Sequence, residues 1–298
     1  MAKKLIQGNH AILEAAVVAG MGFYAGYPIT PASEVMERAA SVAAETEAFA
    51  YIAFEDEIAS INAIVGASIA GAKAMTATSG PGFSLMQEGI GLGHMTRSPI
   101  VIVNVQRVGP STGMPTLAAQ ADIMQSRWGS HGDYYPIAFS PNSVEESYTM
   151  TIQSFNAAEE ALIPVILLTD GYIGHLYESV DFSSLKIPVV KNERPAFGSG
   201  RRHFTGLLSK DGIPCTKNSE YYREWLQNYK GTIQKVADRY NFHESIPNPK
   251  SDTLIISYGI ISRVVRDLGD KYAYFRPIRL WPVLELSLIH ISEPTRPY

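Results

Sequence analysis

The chain has 298 residues, of which 46% are hydrophobic and 18% are charged, a balance typical of a globular protein with a sizeable core. Its formal net charge of -4 and its scattered basic residues give no electrostatic footprint for nucleic acid. No apolar run reaches the roughly 18 residues that a membrane span needs, and the polar start is too short for a signal peptide, so we expect a cytoplasmic protein.

From Asn9 to Asp170, short apolar runs alternate with helical patterns, which is typical of a doubly wound, mostly parallel α/β sheet with helices on both faces. Thr30 precedes a proline and predicts a helix start, and Ser143 with Glu146 forms a capping box for a helix that runs to about Ala161. Four continuous apolar runs predict buried strands at residues 50–54, 74–78, 99–105 and 164–169.

The composition changes after Gly171, where the chain becomes richer in proline, glycine and charged residues and loses its regular alternation. Within this stretch, Glu220 to Tyr240 predicts an amphipathic helix that covers a core or a partner surface. A strand, a glycine turn and a helix begin again at Thr253, and a further strand begins at Tyr272. We therefore predict a first domain at 1–180, a connector with a helix at 181–250 and the start of a second α/β domain at 251–286.

Residues 287–298 resemble the translation of a sequencing adapter, and we exclude them from the prediction of the fold. A genuine irregular tail is the alternative interpretation. Two βα units rarely complete a doubly wound domain, so we expect the second domain to be truncated and the natural protein to be longer.

Cys215 is the only cysteine of the sequence. One thiol cannot form an intrachain disulfide or hold an iron–sulfur cluster, which needs about four thiolates. No group of His, Cys and Asp has the spacing of a metal site, and the nucleophile-elbow and phosphate-loop motifs are absent. We therefore predict no metal site in this chain, and we expect any iron–sulfur cluster to lie on another chain.

Glu57 opens a helix that consists almost entirely of small or apolar residues. Taken alone, a carboxylate at this position most simply complements the helix dipole. About 20 residues later a glycine-rich turn follows a predicted strand at the sheet edge where open α/β sheets bind ligands, and glycine lets a backbone approach closely there. A turn of this kind is weak evidence by itself, but its spacing from Glu57 is specific. The turn consists of Thr78, Ser79, Gly80, Pro81 and Gly82.

This combination resembles the pyrimidine-binding domain of thiamine-diphosphate enzymes. The resemblance implies that Glu57 hydrogen-bonds N1′ of the aminopyrimidine and that the turn at residues 78–82 contacts the cofactor. This hydrogen bond favours the 4′-imino form of the aminopyrimidine, and the imino nitrogen can remove the proton from C2 of the thiazolium ring. A glutamate in an apolar pocket retains its proton more readily than an exposed one, which suits it to this role.

Two further segments, Gly26–Pro31 and Gln106–Pro115, resemble the α subunit of 2-oxoacid:ferredoxin oxidoreductases, in particular those that act on 2-oxoglutarate. The resemblance implies that Thr30 and Arg107 lie at the carboxylate of the substrate. A guanidinium group offers two parallel hydrogen bonds to a carboxylate, and Thr30, as an N-cap, would lie where a helix N-terminus favours an anion.

Both residues also have simpler structural interpretations. Thr30 could do no more than cap its helix, and Arg107 could pair with Asp122 or Asp133 in a surface loop. His131 stands among turn residues, and a lone loop histidine is more often structural than functional. The lesser candidates for contacts at the site are Tyr27, Pro28, Ile29, Ser111, Thr112, Gln120 and His131.

The resemblance implies coenzyme A-dependent oxidative decarboxylation of a 2-oxoacid, 2-oxoglutarate first among the candidates, with electrons passed to ferredoxin. The segments that hold magnesium and diphosphate in such enzymes are missing here. A β subunit would therefore supply Mg²⁺, the diphosphate-binding domain and a 4Fe–4S cluster, with γ and δ subunits as further partners, and residues 251–286 would begin a domain like the C-terminal domain of transketolase. Two alternatives stay open, a subunit of a non-redox thiamine-diphosphate carboligase and a non-catalytic assembly subunit.

Overall fold

The computed structural model describes residues 3–191, 193–194 and 205–284. The helices are α1 (Gly8–Val18), α2 (Ser33–Thr46), α3 (Glu57–Ile69), α4 (Gly80–Leu85), α5 (Gln87–Met95), α6 (Gln125–Trp128), α7 (Val144–Ala161), α8 (Gly171–His175), α9 (Ser219–Arg239) and α10 (Ile261–Arg266), with a 3-10 turn at Gly269–Lys271. The strands are β1 (Lys4–Gln7), β2 (Phe23–Gly26), β3 (Ala50–Ala53), β4 (Ala74–Thr78), β5 (Ile100–Val108), β6 (Met114–Ala118), β7 (Ile137–Phe139), β8 (Pro164–Asp170), β9 (Tyr177–Val180), β10 (Ser209–Lys210), β11 (Ile213–Pro214), β12 (His243–Ile246), β13 (Leu254–Ile256), β14 (Ala273–Pro277) and β15 (Arg279–Trp281).

The main sheet has eight strands in the order β15-β7-β8-β5-β4-β2-β3, with β6 paired to the end of β5. The pairs from β7 to β3 are parallel, whereas β15 runs antiparallel to β7 and β6 runs antiparallel to β5. The prediction of an α/β fold with a mostly parallel sheet is confirmed. Because the parallel strands point the same way, the turns that follow β2, β4, β5 and β8 meet at one edge of the sheet, the carboxyl edge.

The alternation of side chains along β5 separates two apolar layers. Val101 and Val103 face the layer that contains α1, α2, α7 and α9, whereas Ile100 and Ile102 face the layer that contains α3, α4 and α5. This strand is buried on both sides, as its continuous apolar sequence predicts.

All four predicted strands are present, but the burial predicted for residues 50–54 is wrong. Strand β3 lies at the edge of the sheet and pairs only with β2 among the described residues, so that Ile52 remains 43% exposed. The capping box is confirmed, because Ser143 Oγ accepts a hydrogen bond from the Glu146 amide at 3.1 Å and the helix ends at Ala161.

The predicted N-cap at Thr30 is wrong. Helix α2 begins at Ser33, after Ala32, and a turn closed by a hydrogen bond from the Ala32 amide to the Ile29 carbonyl at 2.8 Å precedes it. The carbonyl of Thr30 accepts a hydrogen bond from Arg107 of β5, as described below.

The helix predicted at 220–240 is confirmed as α9, and it buries Tyr229, Ile233 and Val236 against the layer that contains α7. After residue 251 the chain contributes to two sheets. Strands β12, β14 and β13 form a separate sheet, and β15 returns to the main sheet beside β7. The domain boundaries at 181 and 251 stay predictions, and residues 287–298 lie outside the described residues. No helix in the described part of the chain has the length and apolarity that a membrane span needs.

Candidate functional site

The residues predicted for the site meet at the carboxyl edge of the main sheet. Thr78 ends β4 and leads into the turn that opens α4, Arg107 lies near the end of β5, and Thr30 lies in the turn between β2 and α2. Glu57 begins α3 beyond β3. Sheet topology therefore brings together four chain segments that are separated in sequence.

The Glu57 side chain lies against the backbone of the turn that opens α4. Glu57 is 5% exposed, and a Cβ atom built on Gly82 would lie 2.3 Å from its Oε1 and 2.2 Å from Oγ1 of Thr78. A side chain at position 82 would therefore displace the Glu57 carboxyl or the Thr78 hydroxyl. The cap of α3 is already made by Asp56, whose Oδ1 accepts a hydrogen bond from the Ala59 amide at 2.6 Å. Glu57 is therefore not needed to cap its helix.

Burial raises the pKa of the Glu57 carboxyl, and a hydrogen bond from the Glu57 backbone amide opposes this rise. The nearby charge of Asp56 raises the pKa further, whereas the charge of Arg107 lowers it. A raised pKa means that the protonated carboxyl persists to a higher pH than it does in an exposed glutamate. The group is thus suited to donate a hydrogen bond to a ligand nitrogen.

Arg107 is 6% exposed, and its Nη1 donates a hydrogen bond to the Thr30 carbonyl at 2.7 Å. The guanidinium forms no ion pair with Asp122 or Asp133, the two aspartates that the alternative interpretation named. Asp122 instead accepts from Asn104 Nδ2 at 3.0 Å, and Asp133 accepts from the hydroxyl of Tyr222 at 3.3 Å. Burial lowers the pKa of Arg107 and the charge of Glu57 opposes this, but a guanidinium group remains charged at physiological pH.

Several polar atoms at this edge are buried without a hydrogen-bond partner among the described residues. They include Oγ1 of Thr78, Oγ of Ser79 and Nε of Arg107. Buried polar atoms are normally paired, so such a cluster indicates a place where a polar ligand completes the hydrogen bonding. A buried carboxyl with a raised pKa, a glycine-rich turn and hydroxyl groups without a partner fit the polar edge of an aminopyrimidine ring.

Thr30, which is predicted to bind the substrate, is exposed. Among the lesser candidates, Tyr27 and Pro28 are also exposed, Ile29 is half-buried, and Ser111 and Thr112 are exposed at the tip of the β5–β6 hairpin. Gln120 is engaged elsewhere, because its Nε2 donates to the Tyr258 carbonyl at 3.2 Å. His131 lines a separate cavity of about 290 Å³ beside α5 and α9.

Two polar residues of β5 were not predicted as site residues. Asn104 Nδ2 donates to Asp122 Oδ2, and Gln106 Oε1 accepts from the Asp122 amide at 3.0 Å. These contacts fasten the segment after β6 to the carboxyl edge. Their positions in the sequence could have indicated a functional role, since both are polar residues within a mostly apolar strand. Among the described residues, no group of three or more His, Cys, Asp or Glu side chains could hold a metal ion.

Comparison with known proteins gives consistent matches over most of the chain. The model of the family described as pyruvate flavodoxin/ferredoxin oxidoreductase, thiamine diP-bdg, matches residues 14–245. The chain is 40% identical over 321 residues to 2-oxoglutarate synthase subunit KorA of Methanothermobacter marburgensis, with 98% of this chain and 85% of that protein covered. It is 33% identical over 301 residues to ketoisovalerate oxidoreductase subunit VorB of the same organism, with 98% and 84% covered.

One solved structure is similar over nearly the whole chain. It is the 2-oxoglutarate:ferredoxin oxidoreductase from Magnetococcus marinus with 2-oxoglutarate, coenzyme A and succinyl-CoA bound. The TM-score is 0.88 at 31% sequence identity, and the match covers 97% of this chain. The chain spans 56% of the length of that solved chain.

Proposed function

This chain belongs to the family of pyruvate flavodoxin/ferredoxin oxidoreductases, and we propose that it is the α subunit of a 2-oxoacid:ferredoxin oxidoreductase that acts on 2-oxoglutarate. The complete enzyme would decarboxylate the 2-oxoacid oxidatively, transfer the acyl group to coenzyme A and pass electrons to ferredoxin. The observation that carries the proposal is the contact of the buried Glu57 carboxyl with the bare backbone of Gly82, at the same sheet edge as Arg107.

Thiamine diphosphate, when bound, supplies a nucleophilic carbon that can attack a 2-oxo group. In our proposal Glu57 hydrogen-bonds N1′ of its pyrimidine ring, and the raised pKa of this carboxyl keeps a proton available for that bond. Thr78 and Ser79 offer buried hydroxyl groups beside it, and Gly82 lets the backbone of the turn approach the Glu57 carboxyl closely.

Arg107 is proposed to bind the substrate carboxylate, with Thr30 beside it. The hydrogen bond from Nη1 to the Thr30 carbonyl fixes the plane of the guanidinium group, and the buried Nε is a donor that a carboxylate would satisfy. Every 2-oxoacid carries the carboxylate that Arg107 would bind, so this contact does not distinguish one 2-oxoacid from another. The match to subunit VorB therefore keeps a branched-chain 2-oxoacid as the competing substrate.

The remaining parts of the enzyme are assigned to partner subunits. Cys215 is the only cysteine in the sequence, so these 298 residues do not themselves supply the four thiolate ligands of a 4Fe–4S cluster. We assign the cluster, Mg²⁺ and the diphosphate-binding domain to a β subunit, with γ and δ subunits as further members of the complex. Ferredoxin would accept electrons from the assembled enzyme.

The test is an assay of the assembled complex with 2-oxoglutarate, pyruvate and 2-oxoisovalerate, with coenzyme A present and viologen reduction as the readout. We expect 2-oxoglutarate to give the highest kcat/KM. The substitution Glu57→Gln should lower turnover by about 100-fold or more, because it removes the ionisable group. The control is Glu55→Gln, which alters an exposed glutamate two positions away.

Size-exclusion chromatography should show that both variants assemble. Wild-type turnover in Glu57→Gln would remove this residue from the mechanism. Carbon–carbon bond formation between two 2-oxoacids without viologen reduction would favour the carboligase alternative, and no turnover with any acid in a complex that holds the cofactor would favour the assembly subunit.

A further inference from the structure

We propose that Asn9 is a positioning residue for the substrate-carboxylate site. Its side-chain amide holds the turn whose carbonyl group orients Arg107. Asn9 is the second residue of α1 and is fully buried. The inference rests on the role proposed above for Arg107 and adds a residue that does not itself touch the substrate.

The Asn9 amide makes two contacts that fix its orientation. Nδ2 donates to the Pro31 carbonyl at 2.8 Å and to Oε2 of Glu34 at 2.9 Å. Both partners are acceptors, so the nitrogen of the amide, and not its oxygen, must face them. Glu34 in turn lies 3.1 Å from Nε2 of His175 through its other carboxyl oxygen. The amide therefore joins the start of α1 to the turn before α2.

The turn transmits this contact to Arg107 over a very short path. Asn9 holds the carbonyl of Pro31, and the preceding carbonyl, that of Thr30, accepts the 2.7 Å hydrogen bond from Arg107 Nη1. A planar peptide unit and the fixed φ of proline separate these two carbonyl groups, so little rotation is available between them. A displacement of the Pro31 carbonyl should therefore displace the acceptor of Arg107.

Asn9 is itself held rigidly by backbone packing. The Gly8 amide donates to the Leu176 carbonyl at 3.0 Å, and a Cβ atom on Gly8 would lie 2.0 Å from the Ile173 carbonyl oxygen. A Cβ atom on Gly174 would lie 2.8 Å from Oδ1 of Asn9. The two glycines let α1 and α8 approach closely and leave the asparagine side chain a single position.

The test is Asn9→Ala in the assembled complex, with KM for the 2-oxoacid and kcat measured separately. Loss of a hydrogen bond that supports the guanidinium should raise KM about tenfold and change kcat by less than about threefold, because the carboxylate is bound equally in the ground state and the transition state.

The chain offers a closely matched control. Asn156 is also a buried asparagine, 4% exposed, whose Nδ2 donates to a proline carbonyl, that of Pro188, at 2.8 Å. It lies near the end of α7, away from the carboxyl edge. Asn156→Ala should lower the apparent melting temperature as Asn9→Ala does, but it should leave KM unchanged. An equal rise of KM in both variants would overturn the proposal.

A double-mutant cycle separates positioning from general destabilisation. In an Arg107→Ala background, Asn9→Ala should raise KM by less than about twofold, because the guanidinium group that Asn9 is proposed to position is already absent. The same rise in both backgrounds would overturn the role of Asn9 and leave that of Arg107 intact. An unchanged KM in Arg107→Ala alone would overturn the proposed substrate site and this inference with it.

A second variant and a binding measurement cover the case in which Asn9→Ala does not assemble. Asn9→Ser is smaller but retains one donor, and calorimetric titration of the assembled complex with N-oxalylglycine, a poorly electrophilic analogue of 2-oxoglutarate, measures Kd without turnover. We expect Kd to rise about fivefold relative to wild type, as for one weakened hydrogen bond. An unchanged Kd in Asn9→Ser would contradict the proposal.

Discussion

Two buried polar clusters lie at opposite edges of the main sheet, and they differ in how their polar groups are paired. At the amino edge, Lys73 Nζ donates to the Ala19 carbonyl at 2.8 Å and to the Val190 carbonyl at 2.6 Å. Beside it, Arg194 makes two hydrogen bonds to the Glu159 carboxylate, from Nε at 2.9 Å and from Nη2 at 3.0 Å. These contacts hold Val190 and Arg194 at the amino edge of the sheet.

At the carboxyl edge the corresponding groups are left open. Thr78, Ser79 and Arg107 each bury a polar atom that has no hydrogen-bond partner among the described residues, and Glu57 is buried beside Gly82. An unpaired buried polar group costs free energy, whereas a paired one contributes to stability or is close to neutral. The comparison teaches that the paired cluster maintains the fold and that the open cluster is available for a ligand.

The largest expected effect belongs to the paired cluster. Glu159→Ala should destabilise the fold by about 3 kcal/mol, because it leaves the buried guanidinium of Arg194 without its carboxylate. The control is Glu160→Ala, which breaks the adjacent, more exposed ion pair with Arg239 and should cost less than about 1 kcal/mol. The melting temperature of the assembled complex measures the loss of stability, and KM for the 2-oxoacid measures any effect on substrate binding. A large rise in KM for Glu159→Ala would contradict the division between the two clusters.

The next largest effect tests the contact between the turn and Glu57. In Gly82→Ala the new methyl group would lie 2.3 Å from Oε1 of Glu57, so we expect turnover to fall by about 100-fold through loss of the carboxyl position. Gly66→Ala is the matched control, since a Cβ atom on Gly66 in α3 meets nothing within 4 Å and alanine favours a helix. Normal turnover in Gly82→Ala would show that turnover does not depend on the close contact between the Glu57 carboxyl and residue 82.

Arg107→Ala should have a smaller effect on the reaction. We expect KM for the 2-oxoacid to rise by at least about tenfold, as for the loss of a charge-assisted hydrogen bond. Arg239→Ala is the control, because this arginine is exposed and pairs with Glu160 away from the site. Steady-state kinetics of the assembled complex provide the measurement, and equal KM values in the two variants would exclude Arg107 from substrate binding.

Much of this fold follows from local sequence. The apolar runs of β4, β5 and β8, the capping box at Ser143 and the amphipathic pattern of α9 each specify an element within a few residues of chain, and each is present. The features that the sequence did not predict depend on contacts between residues that are far apart in the chain. The exposure of β3 depends on its place in the strand order, and β15 pairs with β7 across a long separation in sequence that no local pattern indicates.

The site was predictable to the extent that it follows a family pattern. The spacing between Glu57 and the turn at residues 78–82 predicts both as site residues, although local physics alone favours a role at the helix end for Glu57. Thr30 is predicted as a helix cap because it precedes a proline, and no local pattern indicates that its carbonyl accepts a hydrogen bond from Arg107, 77 residues away. Asn9 was missed for the same reason, since only its contact with Pro31, 22 residues away, gives it significance.

The smallest expected effect is the pH dependence of stability that follows from burying the Glu57 carboxyl. Burial raises the pKa of Glu57 in the folded chain, so the folded state holds this proton more tightly than the unfolded state does. The resulting contribution to stability is fully present below the unfolded pKa, near the ordinary glutamate value, and is lost as the pH rises through the folded pKa.

Glutamine cannot ionise, so Glu57→Gln should melt at a slightly higher temperature than wild type at pH 8, and the difference should shrink as the pH falls toward 5. Melting curves of the cofactor-free complex at the two pH values measure this, with the exposed Glu55→Gln as the control. A lower melting temperature for Glu57→Gln at pH 8 would mean that the ionised carboxylate stabilises the fold. Glu57 would then belong with the paired cluster of Glu159 and Arg194, because its charge, and not its proton, would be what the surrounding residues hold.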